Sequence, residues 1–325
     1  MNKKFQMVEG RCSVLCVSYN HENFAPQAIQ SISDQNLSDI EVIVLDDGSC
    51  DESVKKIRQA LSDTNIPWQI IEQENSGKVS LNFNRARELA TGEYLAFLSL
   101  DDKLTEGALL RKVSALKNDH KIAIAVDANH HSMDDADEIT ERDVQTAVSP
   151  FSSLSAEELL ELEFASLGTF YIQSAVFRAE VFDAVEGFAS DMIGDDINLR
   201  TKIFFSLKDA ADLYVKIFPE AGFIYRKHEN NLHKNTLRQI QTIAEWHKRF
   251  FPDRQFPEVF EGWLAHHIMQ STINRKYSDI WAAERISFRL WALSQRIKLR
   301  PDFRFELPYI RLKNLFKRTA QFRSR

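Results

Sequence analysis

Along the first hundred residues, two patterns of apolar and polar positions follow each other in turn. Short apolar runs typical of buried strands are separated by segments in which apolar side chains recur every three or four residues, as in helices. Alternating strands and helices of this length indicate βαβ units, and therefore an α/β fold with a mostly parallel sheet flanked by helices. The predicted strands are residues 13–18, 40–45, 68–72 and 94–100, and the predicted helices are residues 25–34, 51–61 and 81–90.

The pattern is less regular in the middle of the chain and becomes helical near residue 236. Strands are predicted at residues 122–126, 174–178 and 214–218, and helices at residues 157–167, 180–185 and 195–207. The acidic stretch 134–143 is predicted to be a loop. We therefore predict a main domain of residues 1–235, with halves of about 10–115 and 116–235, followed by a helical extension of residues 236–325.

Charge is unevenly distributed over the 325 residues. The net charge is -6, yet twelve Lys or Arg and only two Asp or Glu lie between Arg285 and Arg325, which leaves an acidic body before a basic tail. An acidic main domain argues against nucleic-acid binding. Three cysteines, Cys12, Cys16 and Cys50, make no disulfide framework, and neither a signal peptide nor a membrane-spanning apolar run is evident, so we expect a cytoplasmic protein.

Polar clusters follow three of the predicted strands. They are Ser18-Tyr19-Asn20, Asp46-Asp47-Gly48-Ser49 and Asp101-Asp102. Ligands of open parallel sheets bind outside the carboxyl ends of the strands, so these clusters should converge on one crevice. Four carboxylates there repel one another unless a cation compensates, and oxygen ligands favour Mg²⁺ or Mn²⁺. Taken alone, the second cluster would be interpreted as a turn followed by a helix N-cap, without any role in ligand binding.

Three ordered segments resemble the family 2 glycosyltransferases, which have the GT-A fold. The segments are SVLCVSYNHENFAPQAIQSISDQNLSDIEVIVLDDGSCDES, NSGK and NRARELATGEYLAFLSLDD, and the similarity is close over residues 12–110 and weaker up to about residue 235. The resemblance implies an inverting transfer of a sugar from a nucleotide-diphosphate sugar, most simply a UDP-sugar, to a hydroxyl of a glycan or lipid-linked acceptor. Residues 10–115 would then bind the nucleotide, and residues 116–235 would hold the acceptor and the base.

The resemblance also assigns roles to the polar clusters. Asp102 would bind a divalent metal, Mn²⁺ or Mg²⁺, on the diphosphate. One departure is that Ser99 replaces the first carboxylate of the family's D-x-D-D motif. The other residues that the resemblance assigns would bind the nucleotide sugar. Ser18 and Tyr19 would line the base pocket, with Asn20 beside them in the sequence. Asp47 would contact the base or ribose with Asp46 supporting it, Lys78 would approach the base or diphosphate, and Asp101 would face the ribose or donor sugar.

Two further segments in the second half resemble family motifs. Asp196 matches the residue that deprotonates the acceptor hydroxyl, although Asp195 and Asp196 could equally be helix caps. The stretch beginning at Tyr225 resembles R-x-H-x-x-N, in which His228 would bind the metal or the diphosphate and Arg226 would face phosphate. A lone histidine such as His228 is just as often a hydrogen-bonded surface residue.

The basic tail, residues 308–325, has apolar residues along one helical side. Such a helix can lie on an anionic membrane surface, here the inner face of the membrane, although it could also pack on the acidic body of the protein. Peripheral association would suit a lipid-linked acceptor.

Two other functions fit part of the pattern. A nucleotidyltransferase acting on a sugar phosphate shares the fold type and the metal carboxylates. It usually needs a Gly-rich loop with Lys or Arg after the first strand, where this chain has SYNHENF. A non-catalytic protein that binds nucleotide sugars is the second alternative, and Ser99 leaves room for it.

Overall fold

The computed structural model describes residues 7–210, 212–228 and 235–301. These residues divide into two compact units. The first includes the described residues up to Asp191 and from Asp195 to His228, and the second includes Met192–Gly194 and the residues from Asn235 onward.

The first unit is built on one sheet whose strand order is β3-β2-β1-β4-β9-β6-β10-β5, with β7 beside β6 and β8 beside β10. Its first four strands are parallel, and β9 runs antiparallel between β4 and β6. The strands are β1 (Val8–Ser18), β2 (Ile40–Asp46), β3 (Trp68–Glu72), β4 (Gly92–Ser99), β5 (Lys103–Leu104), β6 (Ile122–Met133), β7 (Ile139–Gln145), β8 (Ser153–Ser155), β9 (Ala175–Arg178) and β10 (Tyr214–Arg226).

Amphipathic helices cover this sheet. Their apolar residues recur at helical spacing, as Ala25, Ala28, Ile29 and Ile32 do in the first helix, and these side chains are buried against the strands. The helices are α1 (Ala25–Ser33), α2 (Ser53–Ser62), α3 (Val79–Arg87), α4 (Ala108–Asn118), α5 (Ala156–Ser166), α6 (Ala179–Ala184) and α7 (Asp196–Leu207), with a 3₁₀ turn at Ile172–Ser174.

The register of the parallel strands determines where the site lies. Ser18 at the end of β1 is paired with Asp46 at the end of β2, and Val17 is paired with Ser99 at the end of β4. All three strands therefore end at the same edge of the sheet, as the alternating pattern predicts.

The prediction of a loop over residues 134–143 is correct for the turn at residues 134–138 and wrong for residues 139–143, which belong to β7. Strands β6 and β7 form a hairpin whose turn includes Asp137 at φ 65°. Strand β7 is exposed along most of its length, because it lies at an edge with solvent on both sides. Its polar sequence therefore shows no apolar alternation by which a strand could be recognised.

The second unit is helical in its described residues. Its core includes Trp246, Phe260 and Leu264, which are fully buried. The helices are α8 (Thr236–Phe250), α9 (Glu258–Ile273), α10 (Tyr277–Ile286) and α11 (Phe288–Lys298). Among the described residues, no helix combines the length and apolar character needed to cross a membrane. The tail predicted to bind membranes, residues 308–325, lies outside the described residues.

Candidate active site

The loops after β1 and β2 are tied together at the sheet edge. The Asp47 amide donates to the Ser18 carbonyl at 2.9 Å. Asp46 accepts hydrogen bonds from the amide of Ser49 at 2.8 Å and from its hydroxyl at 2.6 Å. The same Ser49 hydroxyl accepts from the amide of Asn20 at 2.8 Å. Asp46 and Asn20 therefore shape the two loops, and Tyr19 between them is 47% exposed.

Asp47 holds the segment that leads to α3. Its carboxylate accepts from the amides of Ser76 at 2.8 Å and Gly77 at 3.1 Å, and from the side chain of Gln73 at 2.6 Å. Burial alone would raise the pKa of Asp47, but these hydrogen bonds favour the ionised form and lower it below its usual value. Lys78, exposed at the start of α3, follows directly from this ordered segment.

Gly48 allows the second and third loops to approach each other. Its φ of +77° is in the left-handed region, and a Cβ placed there would lie 2.7 Å from the backbone nitrogen of Asn75. A side chain at this position would push the segment of residues 73–77 away from Asp47.

Asp101 lies between two histidines. Its Oδ2 atom is 3.1 Å from His228 Nε2 and 3.9 Å from His21 Nε2. Burial raises the pKa of Asp101, but the His228 hydrogen bond and the nearby His21 outweigh it and bring the pKa to about 2. Its Oδ1 atom is buried and has no hydrogen-bond partner within the described ranges. His21 was given no role from the sequence, and its place just after β1 was the signal that could have found it.

Asp102 is buried beside Asp101 and points to a different partner. Its Oδ1 atom accepts from the amide of Arg226 at 2.8 Å. Burial, and then repulsion from the neighbouring Asp101 carboxylate, raise the pKa of Asp102 well above its usual value. The structure thus brings His228 to Asp101 rather than directly to Asp102.

Arg226 was predicted to face phosphate, and its contacts do not fit that prediction. The side chain is fully buried. Its guanidinium lies 4.5 Å from the centre of the Phe24 ring. It donates to the carbonyl oxygens of Asp101 and Asp134, at 2.8 and 2.9 Å, and to the Asp137 carboxylate at 2.6 Å. Arg226 therefore holds the loop of Asp101 in place and is not available to a ligand.

Asp196 begins α7 and is 26% exposed. The Asp195 carboxylate caps the helix by accepting from the Asp196 amide at 2.9 Å. Asp196 Oδ2 accepts from the amide of Ile172 at 3.3 Å and lies 3.6 Å from Arg200 Nη1. Desolvation and the charge of Asp195 outweigh Arg200 and raise the pKa of Asp196 to about 7. Such a pKa suits a general base.

Tyr171 connects the two halves of the site. It directly precedes Ile172, and its pKa is raised by burial, then by the charge of Asp196, and also by that of Asp102. Tyr171 is stacked at 6.1 Å on Tyr225, which directly precedes Arg226, whose amide donates to Asp102. The amide of Ile172 donates to Asp196. The strand-end cluster and the helix-start carboxylate are therefore joined through two stacked rings of the first unit.

A sequence model of glycosyl transferase family 2 matches residues 13–185, which is just over half of the chain. The chain belongs to glycosyltransferase family 2. The family predicted from the three ordered segments is thereby confirmed.

Curated relatives of this family 2 chain match it over shorter stretches. An uncharacterized glycosyltransferase of Nostoc sp. is 32% identical over 131 residues, which are 39% of this chain and 40% of that protein. The GalNAc(5)-diNAcBac-PP-undecaprenol beta-1,3-glucosyltransferase of Campylobacter jejuni is 31% identical over 99 residues, which are 30% of this chain and 32% of that protein. The chain thus matches less than half the length of either relative.

Solved structures of other glycosyltransferases resemble the chain over most of its length. S. aureus TarS 1-349 in complex with UDP-GlcNAc has a TM-score of 0.58 at 16% identity, covering 85% of this chain and 82% of that one. A mannosyltransferase from Pyrobaculum calidifontis in complex with GDP-Man and Mn²⁺ has a TM-score of 0.54 at 17% identity, covering 94% and 87%. At these identities the likeness shows the fold, and the predicted GT-A-type α/β architecture is confirmed.

The strand-end cluster of this family 2 chain has the donor chemistry for a divalent cation. Asp101 offers a buried oxygen without a hydrogen-bond partner among the described residues, and the pKa of the neighbouring Asp102 carboxyl is raised by burial and by Asp101, an effect that a bound cation would oppose. No three His, Cys, Asp or Glu side chains in the described part of the chain are arranged to hold a metal ion by themselves. A cation here would therefore take other ligands from water and from a substrate diphosphate, as Mg²⁺ and its relatives commonly do.

A buried ion pair anchors the helix that carries Asp196. Arg200, one turn after Asp196, donates to Glu163 of α5 at 2.8 Å, and both side chains are almost fully buried. The Glu163 carboxylate also accepts from the amide of Thr169 at 3.0 Å. Arg200 thus fixes α7 against α5 while lying close to the base.

Replacing Arg200 with Met should lower the free energy of unfolding by about 3–5 kcal/mol, because Glu163 is left charged and buried without its partner. Urea denaturation would measure the change. Lys121→Met is the matched control, since it breaks an exposed pair with Asp212 that is worth at most about 1 kcal/mol. Equal losses in the two variants would contradict this account of the anchor.

Proposed function

We propose that the chain is an inverting glycosyltransferase that moves a sugar from a nucleotide-diphosphate sugar to an acceptor hydroxyl. The observation that carries the proposal is a pair of acidic sites joined through the stacked rings of Tyr171 and Tyr225. One is the cluster of Asp101 and Asp102 at the strand ends, and the other is Asp196, whose pKa is raised to about 7. One site suits the leaving diphosphate and the other suits the attacking hydroxyl.

The nucleotide half of the site follows from the loops at the sheet edge. Ser18 and Tyr19 would form the floor for the base, because the Ser18 hydroxyl is buried without a partner in the described residues and the Tyr19 ring is exposed. Asp47, kept ionised, would orient the base or ribose through the loop of residues 73–77 as well as directly. Lys78 at the end of that loop would approach the base or diphosphate.

The donor is proposed to be a UDP-sugar. TarS is named as a complex with UDP-GlcNAc, and the Pyrobaculum mannosyltransferase as a complex with GDP-Man, so both relatives of this fold bind nucleotide sugars.

Asp102 and His228 would hold Mn²⁺ or Mg²⁺, with Asp101 completing the acidic corner. When bound, the cation would neutralise the charge that develops on the departing nucleoside diphosphate. His228 fits this role because its ring nitrogen already contacts the Asp101 carboxylate. Arg226 holds the backbone nearby, since its guanidinium donates to the carbonyl oxygens of Asp101 and Asp134. The mannosyltransferase from Pyrobaculum is described as a complex with Mn²⁺, which supports a divalent cation in this chain as well.

Asp196 would act as the general base. Its carboxylate takes the proton of the acceptor hydroxyl, the oxygen forms a bond to the anomeric carbon, and the bond from that carbon to the diphosphate oxygen breaks. Attack from the side opposite the leaving group inverts the configuration of the sugar. The proton ends on Asp196 and the electron pair leaves with the nucleoside diphosphate.

The acceptor is proposed to be a glycan or a lipid-linked glycan at an anionic membrane surface. The Campylobacter relative is named for an undecaprenol-linked substrate. Phe288 at the start of α11 is 77% exposed and Leu299 directly after the helix is 63% exposed, and the centres of the stacked Phe288 and Trp291 rings are 5.5 Å apart. Aromatic side chains beside Arg289 are typical of the membrane interface. A membrane is favoured over a second protein chain as the partner of this surface, because a typical stable dimer interface needs about 20–30 residues from each chain and this surface offers only a few.

Replacing Phe288 and Trp291 together with Ser should reduce binding to phosphatidylglycerol vesicles at least about tenfold, since two interfacial aromatic side chains are lost. Vesicle flotation would measure binding, and phosphatidylcholine vesicles would show the part that depends on anionic lipid. Phe151→Ser, at an exposed Phe in the first unit, is the matched control. Vesicle binding unchanged in the double variant would exclude α11 as the contact.

The function itself is tested by binding and turnover with the same purified protein. We expect a nucleotide sugar to raise the melting temperature more with Mn²⁺ than without it, because a ligand that binds the folded state stabilises it. Release of nucleoside diphosphate should then depend on an added glycan. Pyrophosphate release from a nucleoside triphosphate and a sugar phosphate would instead show a nucleotidyltransferase, and binding without any turnover would show a non-catalytic protein.

A further inference from the structure

The ring of Tyr171 is exposed beside the proposed base. Its side chain is 38% exposed. The next residue, Ile172, donates its amide hydrogen bond to Asp196 at 3.3 Å. The exposed ring is therefore carried by the residue next to the one that binds Asp196.

Three other rings hold Tyr171 in place. Tyr225 is stacked on it at 6.1 Å with an interplanar angle of 22°. His130 meets it edge-on at 5.0 Å and Phe223 at 5.5 Å. Because these partners lie on β6 and β10, the ring is positioned by the sheet itself and would lose little freedom on binding a ligand.

A polar group lies within this aromatic cluster. His130 is buried, and its Nδ1 atom has no hydrogen-bond partner among the residues described. Burial lowers the pKa of His130 to about 4, so the imidazole is neutral near pH 7. The exposed ring of Tyr171, backed by this neutral cluster, matches the face of a sugar ring that presents C–H bonds.

We propose that Tyr171 is the platform on which a pyranose ring of the acceptor glycan stacks, with its reacting hydroxyl directed at Asp196. This inference rests on the proposed transfer of a sugar to a glycan. The acceptor is favoured over the donor sugar because Ile172, the residue after Tyr171, donates its amide hydrogen bond to Asp196, the proposed general base. The donor diphosphate is assigned to the opposite corner, at Asp101 and Asp102.

The test compares Tyr171→Ala, which removes the ring, with Tyr171→Phe, which keeps it. The acceptor probes are p-nitrophenyl glycosides of glucose, galactose, mannose, N-acetylglucosamine and N-acetylgalactosamine. With the best of these, Tyr171→Ala should raise the acceptor KM at least about tenfold, and Tyr171→Phe should stay within about threefold of the wild type. Affinity for the nucleotide sugar should be unchanged in both variants, and Phe151→Ala, at an exposed Phe elsewhere, should change neither quantity.

Saturation-transfer NMR supplies a readout that needs no turnover. In the presence of UDP and Mn²⁺, the C–H protons of the glycoside should receive saturation from the wild type and from Tyr171→Phe, but not from Tyr171→Ala. An unchanged KM and an unchanged NMR signal in Tyr171→Ala would overturn the platform, as would a loss of donor affinity as large as the loss for the acceptor. Failure of the wild type to bind any nucleotide sugar would instead overturn the proposed function.

Discussion

Asp196→Asn should lower kcat by about 10²–10⁴-fold, since this is the usual contribution of a positioned general base. The amide is nearly the same size as the carboxylate and can still accept from the Ile172 amide, so binding of the nucleotide sugar should be retained. Steady-state kinetics and calorimetric titration of the donor would separate the two effects.

The matched control for this substitution is Glu180→Gln, which makes the same change in the first turn of α6. It should leave kcat within about twofold of the wild type. Full activity of Asp196→Asn would remove Asp196 from the mechanism, and loss of donor binding would mean that its role lies in the donor site.

The same carboxylate predicts the pH dependence of the reaction. A base must be ionised, and desolvation together with Asp195 raises the pKa of Asp196 to about 7. The rate should therefore be constant above this pH and fall about tenfold per pH unit below it. A rate that stays constant down to pH 5 would contradict the assignment.

Asp102→Asn should abolish the part of donor binding that depends on the metal and lower kcat/KM by about 10²–10³-fold, because charge on the leaving diphosphate is no longer compensated. The amide oxygen can still accept from the Arg226 backbone, so the fold should be retained. The metal-free variant should be at least as stable as the wild type, since a neutral side chain relieves the repulsion from Asp101.

Glu106→Gln removes one carboxylate charge at an exposed position four residues further along, and it is the control for Asp102→Asn. Nucleotide-sugar titrations with and without Mn²⁺ would compare the two variants. If Asp102→Asn keeps the full enhancement by Mn²⁺, the metal is held elsewhere.

The parallel half of the fold and its polar edge could be predicted from the sequence. Buried parallel strands carry near-continuous apolar runs, so β1, β2 and β4 are recognisable, and polar residues such as Asp46 and Asp101 lie at or just beyond the ends of these runs. Convergence of these residues follows from the parallel direction alone, which the register of Ser18 with Asp46 confirms.

Features that depend on long-range packing could not be predicted in this way. Arg226 has the same sequence signature whether it faces a phosphate or is buried against Phe24 and Asp137, because the choice depends on residues about 90 and 200 positions away. No local pattern indicates the surroundings of His130, which strand β6 buries among aromatic rings. Strand β7 lacked a periodic pattern because solvent covers both of its faces.

The most direct measurement of the central claim is a crystal structure of the protein with UDP and Mn²⁺, with anomalous data collected at the manganese edge. We expect one anomalous peak within about 2.3 Å of an Asp102 oxygen and in contact with the diphosphate, with the uracil resting between Ser18 and Asp47. A nucleotide bound away from the ends of β1, β2 and β4, or a manganese peak remote from both Asp101 and Asp102, would contradict the account.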